Sequence, residues 1–299
     1  MRVLITENCN SKCLNCFNSA YRENKEIDIH SYTVLCEYLS KNKIKRVKIM
    51  GGEPTVHPSF ERIIEVSQSY FDSVVVFTNA LNNRIVNIKP RSNDTIVYNF
   101  SFVSSGFNTD KFLMNQPGRR RLEVQIGKRT NIEHLIGRLS IVKKIPNLNI
   151  NLTLDCMENI YDDRIELERK FITVSDYIRN SLNTVFLIDH KIPSCFWSTK
   201  NKSQEALCSA ECAGLIDSSL KLRYCNQYED TLCNLIDLNG EFIPFEVLLS
   251  KLKDGYASKI DLLRNKKCNG CAFFPQKCNG GCFAHKTIVK LSETIDYEK

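Results

Sequence analysis

Arg2-Val3-Leu4-Ile5-Thr6-Glu7-Asn8-Cys9-Asn10-Ser11-Lys12-Cys13-Leu14-Asn15-Cys16 places a short apolar segment directly ahead of three cysteines spaced C-x3-C-x2-C. The run Arg2 to Thr6 predicts a strand, and the cysteines fall in the loop after it. Thiolates are the usual protein ligands of iron–sulfur clusters, and four of them normally saturate a four-iron cube. A group of three supplies three irons and leaves the fourth open to a small molecule. The next cysteine is Cys36, past a whole helix-like stretch. A three-cysteine zinc or redox site is the alternative.

A second segment, Met50-Gly51-Gly52-Glu53-Pro54, closes the apolar run Val47 to Met50. The two motifs lie roughly 35 residues apart, each after a strand-like run, as one βαβ step requires. Glycine lacks a Cβ and suits a close approach of backbone to ligand. A zinc or redox site leaves this segment without a role.

Together the motifs resemble those of the radical SAM superfamily. The resemblance implies that Cys9, Cys13 and Cys16 hold a [4Fe-4S] cluster whose open iron chelates S-adenosylmethionine (SAM). Reductive cleavage of SAM then yields a 5′-deoxyadenosyl radical that abstracts hydrogen from substrate, the protein binding, orienting and excluding side reactions. It assigns the SAM amino group to Gly51, Gly52, Glu53 and Pro54. Thr78-Asn79-Ala80 is similar to the family's Thr-Asn-Gly, with Ala80 in the glycine place, which makes Thr78 and Asn79 cofactor-side candidates. The family usually carries an aromatic residue before the third cysteine. Here Asn15 stands there and Phe17 follows the cysteine, so both are candidates for the adenine side.

The 299 residues, 42% hydrophobic and 25% charged, suffice for one large core plus an appendage or for two small domains. No apolar run approaches the ~18 residues of a membrane span, and Glu7 and Cys9 interrupt any signal-peptide core. Fourteen cysteines without a secretory signal argue for metal or redox use in a reducing cytoplasm. The formal charge of +7 is modest. Its densest basic run, Arg119-Arg120-Arg121, reads as a solvated face. The alternative is a dock for an acidic substrate or a flavodoxin- or ferredoxin-type electron donor. No aromatic-studded basic stripe suggests nucleic acid.

Strand-like runs (Arg2 to Thr6, Arg46 to Met50, Ser73 to Thr78, Thr95 to Phe102, Leu148 to Leu154, Thr184 to Ile188) alternate with helical patterns (Tyr32 to Ser40, Phe60 to Tyr70, Ile132 to Lys143). Such alternation means an α/β fold with a parallel sheet and helices outside. For this family it implies a partial (β/α)6 TIM-like barrel, with ligands at the carboxyl ends of the strands. Asn159, shortly after the fifth strand, stands where relatives often carry Asn. The expected organisation is a barrel over 1–190, a linker and lid region over 191–224, and a cysteine-rich domain over 225–299.

In that last region Asn239-Gly240, between Leu235 to Leu238 and Glu241 to Phe245, predicts a two-residue hairpin turn. Cys268-x2-Cys271-x6-Cys278-x3-Cys282 follows. The arrangement resembles the SPASM and twitch extensions that carry auxiliary iron–sulfur clusters. Cys225, with fourteen residues between it and Gly240, fits the pattern's first element, and Cys233 is a further candidate ligand. Phe245 occupies a cysteine place, the gap from Cys271 to Cys278 is one residue longer than in the pattern, and no cysteine follows Cys282. Carried over by position, Cys225, Cys233 and Cys282 form one set and Cys268, Cys271 and Cys278 another, each lacking a fourth thiolate. One pooled auxiliary cluster, two clusters with open or non-cysteine positions, and a zinc site all stay open, with His285 as a stand-in ligand.

Cys156, Cys195, Cys208 and Cys212 are candidate hydrogen-atom donors, each with an ordinary buried thiol as the alternative. Glu246, by analogy with relatives that use an acidic proton acceptor, is the candidate base, or else a carboxylate opening a helix over Val247 to Leu252. The implied reaction is modification of a ribosomally made peptide by crosslinking, thioether formation or epimerisation. The first strand begins at Arg2, so no leader-recognition domain is expected ahead of it. Dehydrogenation or epimerisation of an aminosugar or nucleoside is the second reading, and a redox scaffold without SAM chemistry the third.

Overall fold

The structure is a computed structural model that describes residues 1–13, 16, 24–99, 118–142, 145, 148–155, 163–182, 184, 186–188, 192, 196–197, 214–225, 231–262 and 270–272. Two compact units divide the chain. The first comprises Met1–Glu123, Ile145–Asn149 and Ala213–Lys253, and the second Val124–Lys144, Ile150–Cys212 and Asp254–Lys299.

In the first unit the strands are β1 (Arg2–Thr6), β2 (Arg46–Gly51), β3 (Ser73–Thr78), β4 (Thr95–Asn99) and β5 (Arg119–Ile126), the last running on into the second unit. β1 to β5 lie side by side in sequence order and all pairs are parallel. Helices α1 (Ile29–Lys41) and α2 (Phe60–Tyr70) are the crossovers. Asp28 caps α1, its carboxylate accepting from the backbone N–H groups of His30 and Ser31 at 3.0 and 2.9 Å. The buried stripes Tyr32, Leu35, Cys36, Leu39 and Phe60, Ile63, Ile64, Ser67 have the i, i+3, i+4 spacing of helices packed on a sheet. Tyr32 and Ser67 join them through hydroxyls 2.6 Å apart. Burial pushes the Cys36 thiol up to about 12, so this cysteine is core.

On the other side of β1 the sheet gains β8 (Leu215–Ile216, parallel to β1), β9 (Lys221–Arg223) and β10 (Thr231–Asn234), the last two antiparallel. Leu215–Ile216 and Lys221–Arg223, within the stretch expected as a linker and lid region, are strands. Their alternation was too short to register, with two and three residues per strand. The second unit contains β6 (Leu148–Leu154, whose first residues belong to the first unit), parallel to β7 (Phe186–Ile188), with α3 (Ile132–Ile141) and α4 (Arg164–Ser181) in mutual contact. Helix α5 (Phe245–Leu262) follows the sheet's last strand in sequence.

Three expectations change. The Arg119-Arg120-Arg121 run opens β5 and is not a solvated face: Arg120 is 6% exposed and only Arg119 lies fully open. Strict alternation over Arg119–Ile126, with Leu122, Val124 and Ile126 buried, is the strand signal that the charges obscured. The hairpin turn is longer than two residues. Gly240 donates its N–H to Asp237 O at 3.2 Å and takes φ 82°, so Leu238 and Asn239 are the central pair and glycine forms the left-handed bulge. Asp237 Oδ1 steers this by accepting from the N–H groups of Asn239 and Glu241 at 2.8 and 2.9 Å. The helix near Val247 to Leu252 is also longer, Phe245–Leu262. Among the described residues no helix is long and apolar enough to cross a membrane.

Asp94 ties the end of α2 to the starts of β3 and β4. Its carboxylate accepts from Val74 N–H at 2.9 Å, Gln68 Nε2 at 2.8 Å, and the backbone and guanidinium of Arg91. Burial acts to raise its pKa, but these donors outweigh it and hold the group below the ordinary value. Asp94→Ala should cost about 2 kcal/mol, the partly exposed Arg91 moderating the loss, read as a lower urea midpoint. Because the folded pKa is depressed, the contribution is complete at neutral pH. It should fade as pH falls below the ordinary aspartate range.

Candidate active site

The cluster loop leaves β1 at Thr6 and is closed at its far end by residues 25–27. Glu7 N–H donates to Lys25 O and Ile27 N–H to Ile5 O, both at 2.9 Å, around an antiparallel Thr6–Glu26 bridge. Glu26 Oε1 accepts from the Thr6 hydroxyl at 3.2 Å and Asn8 Nδ2 at 2.9 Å. Within the loop, Ser11 N–H donates to Cys9 Sγ and Ser11 Oγ pairs with Cys13 Sγ, each at 3.4 Å. One serine thus touches two of the three sulfurs. Cys9, Cys13 and Cys16 are half-buried.

Three soft thiol donors on one pinned loop fit a cluster. Among the described residues no three metal-ligating side chains converge on a single ion.

Gly51 and Gly52 make room for protein. A Cβ on Gly51 would sit 2.8 Å from Thr6 O, and one on Gly52 2.3 Å from Asn8 O and 2.6 Å from Glu7 O. The close approach expected toward a ligand is here toward the backbone that leads to Cys9. Gly52 N–H donates to Thr6 O at 2.9 Å and Glu53 N–H to Asn8 O at 2.8 Å, extending the β1–β2 ladder to the cluster loop.

Glu53 is 1% exposed. Its Oε1 accepts from the Thr55 N–H (3.2 Å), the Thr55 hydroxyl (2.7 Å) and the Thr78 hydroxyl (2.8 Å), and its Oε2 from the Asn79 N–H (2.7 Å). Burial still raises its pKa above the ordinary value against these donors. Asn79 completes the lattice: Nδ2 donates to Asn10 Oδ1 at 2.9 Å, inside the cluster loop, and Oδ1 accepts from Leu81 N–H at 3.0 Å. Ala80 takes φ 55° with its N–H on Thr78 Oγ1, which accounts for glycine at the matching family position. Pro54 opens a buried 3-10 turn, Pro54–Val56. The polar side chains assigned to the cofactor are therefore bonded to one another and to the cluster loop.

Residues 1–117 match the family model of the 4Fe-4S single cluster domain. That match covers Cys9, Cys13, Cys16 and the Gly51-Gly52-Glu53-Pro54 segment. It superposes on Streptococcus suis SuiB bound to S-adenosylmethionine with a TM-score of 0.67 at 16% identity, over 97% of this chain and 73% of that one. SuiB bound to its precursor peptide SuiA gives 0.67 at 18% identity, over 97% and 72%. Native anSMEcpe with bound AdoMet and Kp18Cys peptide gives 0.64 at 13% identity, over 94% and 88%. At these identities the likeness is one of fold. A GTP 3′,8-cyclase of Chlorobaculum tepidum is 21% identical over 168 residues, 55% of this chain and 47% of that protein, so the match spans about half of that relative's length.

The remaining described site residues fall in several elements. Cys225 follows β9, and Cys233 lies in β10 beside Tyr38 of α1, with its thiol pushed up mainly by burial. Phe245, in the vacant cysteine place, packs edge-on to Tyr38 at 6.0 Å, and Phe242 stacks on the same ring at 4.6 Å. Ring packing fills the position a ligand would take. Glu246 is exposed in the first turn of α5, where a carboxylate complements the helix terminus. Cys271 is half-buried in the short described stretch 270–272. Asn15, Phe17, Cys156, Asn159, Cys195, Cys208, Cys212, Cys268, Cys278, Cys282 and His285 lie outside the described residues.

Sequence reasoning missed Asn10, Ser11, Glu26 and His57. Asn10, Glu26 and His57 act through contacts between distant segments that no local pattern announces, and Ser11 through contacts two residues to either side. Gly52→Ala should force the Asn8 backbone aside at about 1–3 kcal/mol of overpacking. The expected result is a folded protein with sharply reduced iron at the N-terminal site, read by metal analysis after anaerobic reconstitution.

Proposed function

We propose that this chain modifies a ribosomally made peptide by crosslinking, thioether formation or epimerisation. The observation that carries the reading is the fold shared over nearly the whole chain with SuiB in complex with its precursor peptide and with anSMEcpe in complex with a peptide. When bound, the cluster supplies the electron for reductive cleavage of SAM and so the radical that takes a hydrogen atom from substrate. The chain's own residues hold and aim: Cys9, Cys13 and Cys16 ligate, Ser11 hydrogen-bonds near two of the sulfurs, and Asn10–Asn79–Glu53 fixes the loop against the ends of β2 and β3.

Auxiliary iron–sulfur ligation by thiols drawn from Cys225, Cys233, Cys268, Cys271, Cys278 and Cys282 belongs to the same proposal. It provides an acceptor when a substrate radical must lose an electron. A thiol among Cys156, Cys195, Cys208 and Cys212 is the hydrogen donor in a redox-neutral variant. A flavodoxin- or ferredoxin-type protein in a reducing cytoplasm is the proposed electron source. The match to a GTP cyclase supports a second reading, in which the substrate is a nucleotide-like small molecule.

Under anaerobic reducing conditions with SAM, 5′-deoxyadenosine should form, and Cys9→Ala, Cys13→Ala or Cys16→Ala should each abolish it. Retained activity in any of the three refutes the cluster assignment. A short peptide encoded beside this gene should change mass in the same reaction. An inert peptide together with turnover of a sugar or nucleotide selects the second reading. The Cys9/Cys13/Cys16→Ala triple variant should keep about four or more irons per chain if the C-terminal thiols hold a cube. Iron-free protein that binds zinc would make that region a structural clamp.

A further inference from the structure

The far end of the cluster loop reaches the Gly-Gly-Glu-Pro segment through one imidazole. Ile27, the last residue of the loop closure, is 2% exposed, and its backbone groups must be satisfied inside the protein. Its N–H is taken by Ile5 O on β1. Its C=O faces His57 Nε2 at 2.9 Å, and His57 is itself only 3% exposed.

The other ring nitrogen decides the tautomer. Ser59 N–H donates to His57 Nδ1 at 3.0 Å, so Nδ1 carries a lone pair and Nε2 carries the hydrogen that Ile27 O accepts. The segment that presents this ring is held in turn. Arg84 Nη1 donates to Thr55 O at 3.3 Å and His57 O at 2.6 Å, and Nη2 to Pro58 O at 2.9 Å. The same guanidinium pairs with Glu61, and Asn82 Nδ2 donates to Thr55 O at 3.1 Å. The anchor is therefore a rigid platform carrying one directed donor.

We propose that His57 is a positioning residue for the cluster: it fixes the exit of the cysteine-bearing loop to the platform after β2, as Asn79 and Glu53 fix its entry. This rests on the assignment of the cluster to Cys9, Cys13 and Cys16. The entry and exit of the loop are then both referred to the end of β2. The sulfurs between them keep one geometry against the strand ends where substrate is handled. Loss of the exit contact leaves the Ile27 C=O buried without its donor, and the loop relaxes to recover one.

Two substitutions divide the ring's two hydrogen bonds. His57→Gln keeps a donor near Nε2 and loses the acceptor for Ser59. His57→Asn keeps an acceptor near Nδ1 and loses the donor to Ile27. The experiment follows iron released to a ferrous chelator from anaerobically reconstituted full-length protein, with the Cys9/Cys13/Cys16→Ala variant as blank and the thermal midpoint as a folding control. We expect His57→Asn to release the N-terminal iron about tenfold faster, as for one buried hydrogen bond lost, and His57→Gln to stay near wild type. Equal loss in both variants makes the ring a packing element and overturns the proposal. Retention in both overturns it as well. A blank that holds as much iron as wild type overturns the cluster assignment beneath it, independently of His57.

Discussion

The carboxylate of Glu53 is the contact on which the site depends. A buried charge is tolerated only when its oxygens are satisfied, and here two threonine hydroxyls and two backbone N–H groups do so. The donors come from the turn after β2 and from the end of β3, so satisfying the charge brings those strand ends together. Asn79 then passes the constraint to Asn10. Glu53 thereby helps to build the floor on which Asn8 and Asn10 lie.

The floor works because it is flush. Backbone meets backbone where Gly51 and Gly52 pass under Thr6, Glu7 and Asn8, at separations that no side chain fits. The described ends of the cluster loop are fixed by what they touch. Its two ends are laced to each other, its entry is bonded to β2, and its exit to the segment gripped by Arg84. In parallel α/β sheets chemistry collects at the carboxyl ends of strands. In this protein those ends also position the metal-ligating loop.

Much of this was legible beforehand. The cysteine spacing, the apolar run ahead of it and the glycine pair each carry a local signature, as do β1, β3, β6 and α2, whose limits agree with the residue pattern. Failures occurred where the pattern was short or disguised. β8 and β9 have too few residues for alternation to show, and three arginines hid β5 although Leu122, Val124 and Ile126 alternate behind them. The hairpin was located correctly, but its turn type depended on Asp237 capturing two N–H groups, which Asn-Gly alone does not encode.

The sequence by itself determined the cysteine motif and the secondary-structure alternation, because thiol spacing and hydrophobic periodicity are properties of contiguous residues. Only the tertiary structure decided what the second motif does. Asn10 and Asn79 are 69 residues apart, and His57 and Ile27 are 30 apart. Hydrogen bonds over such separations exist only once parallel strands have set the register. Folded, Glu53, Thr78 and Asn79 hold one another and the loop that carries Cys9.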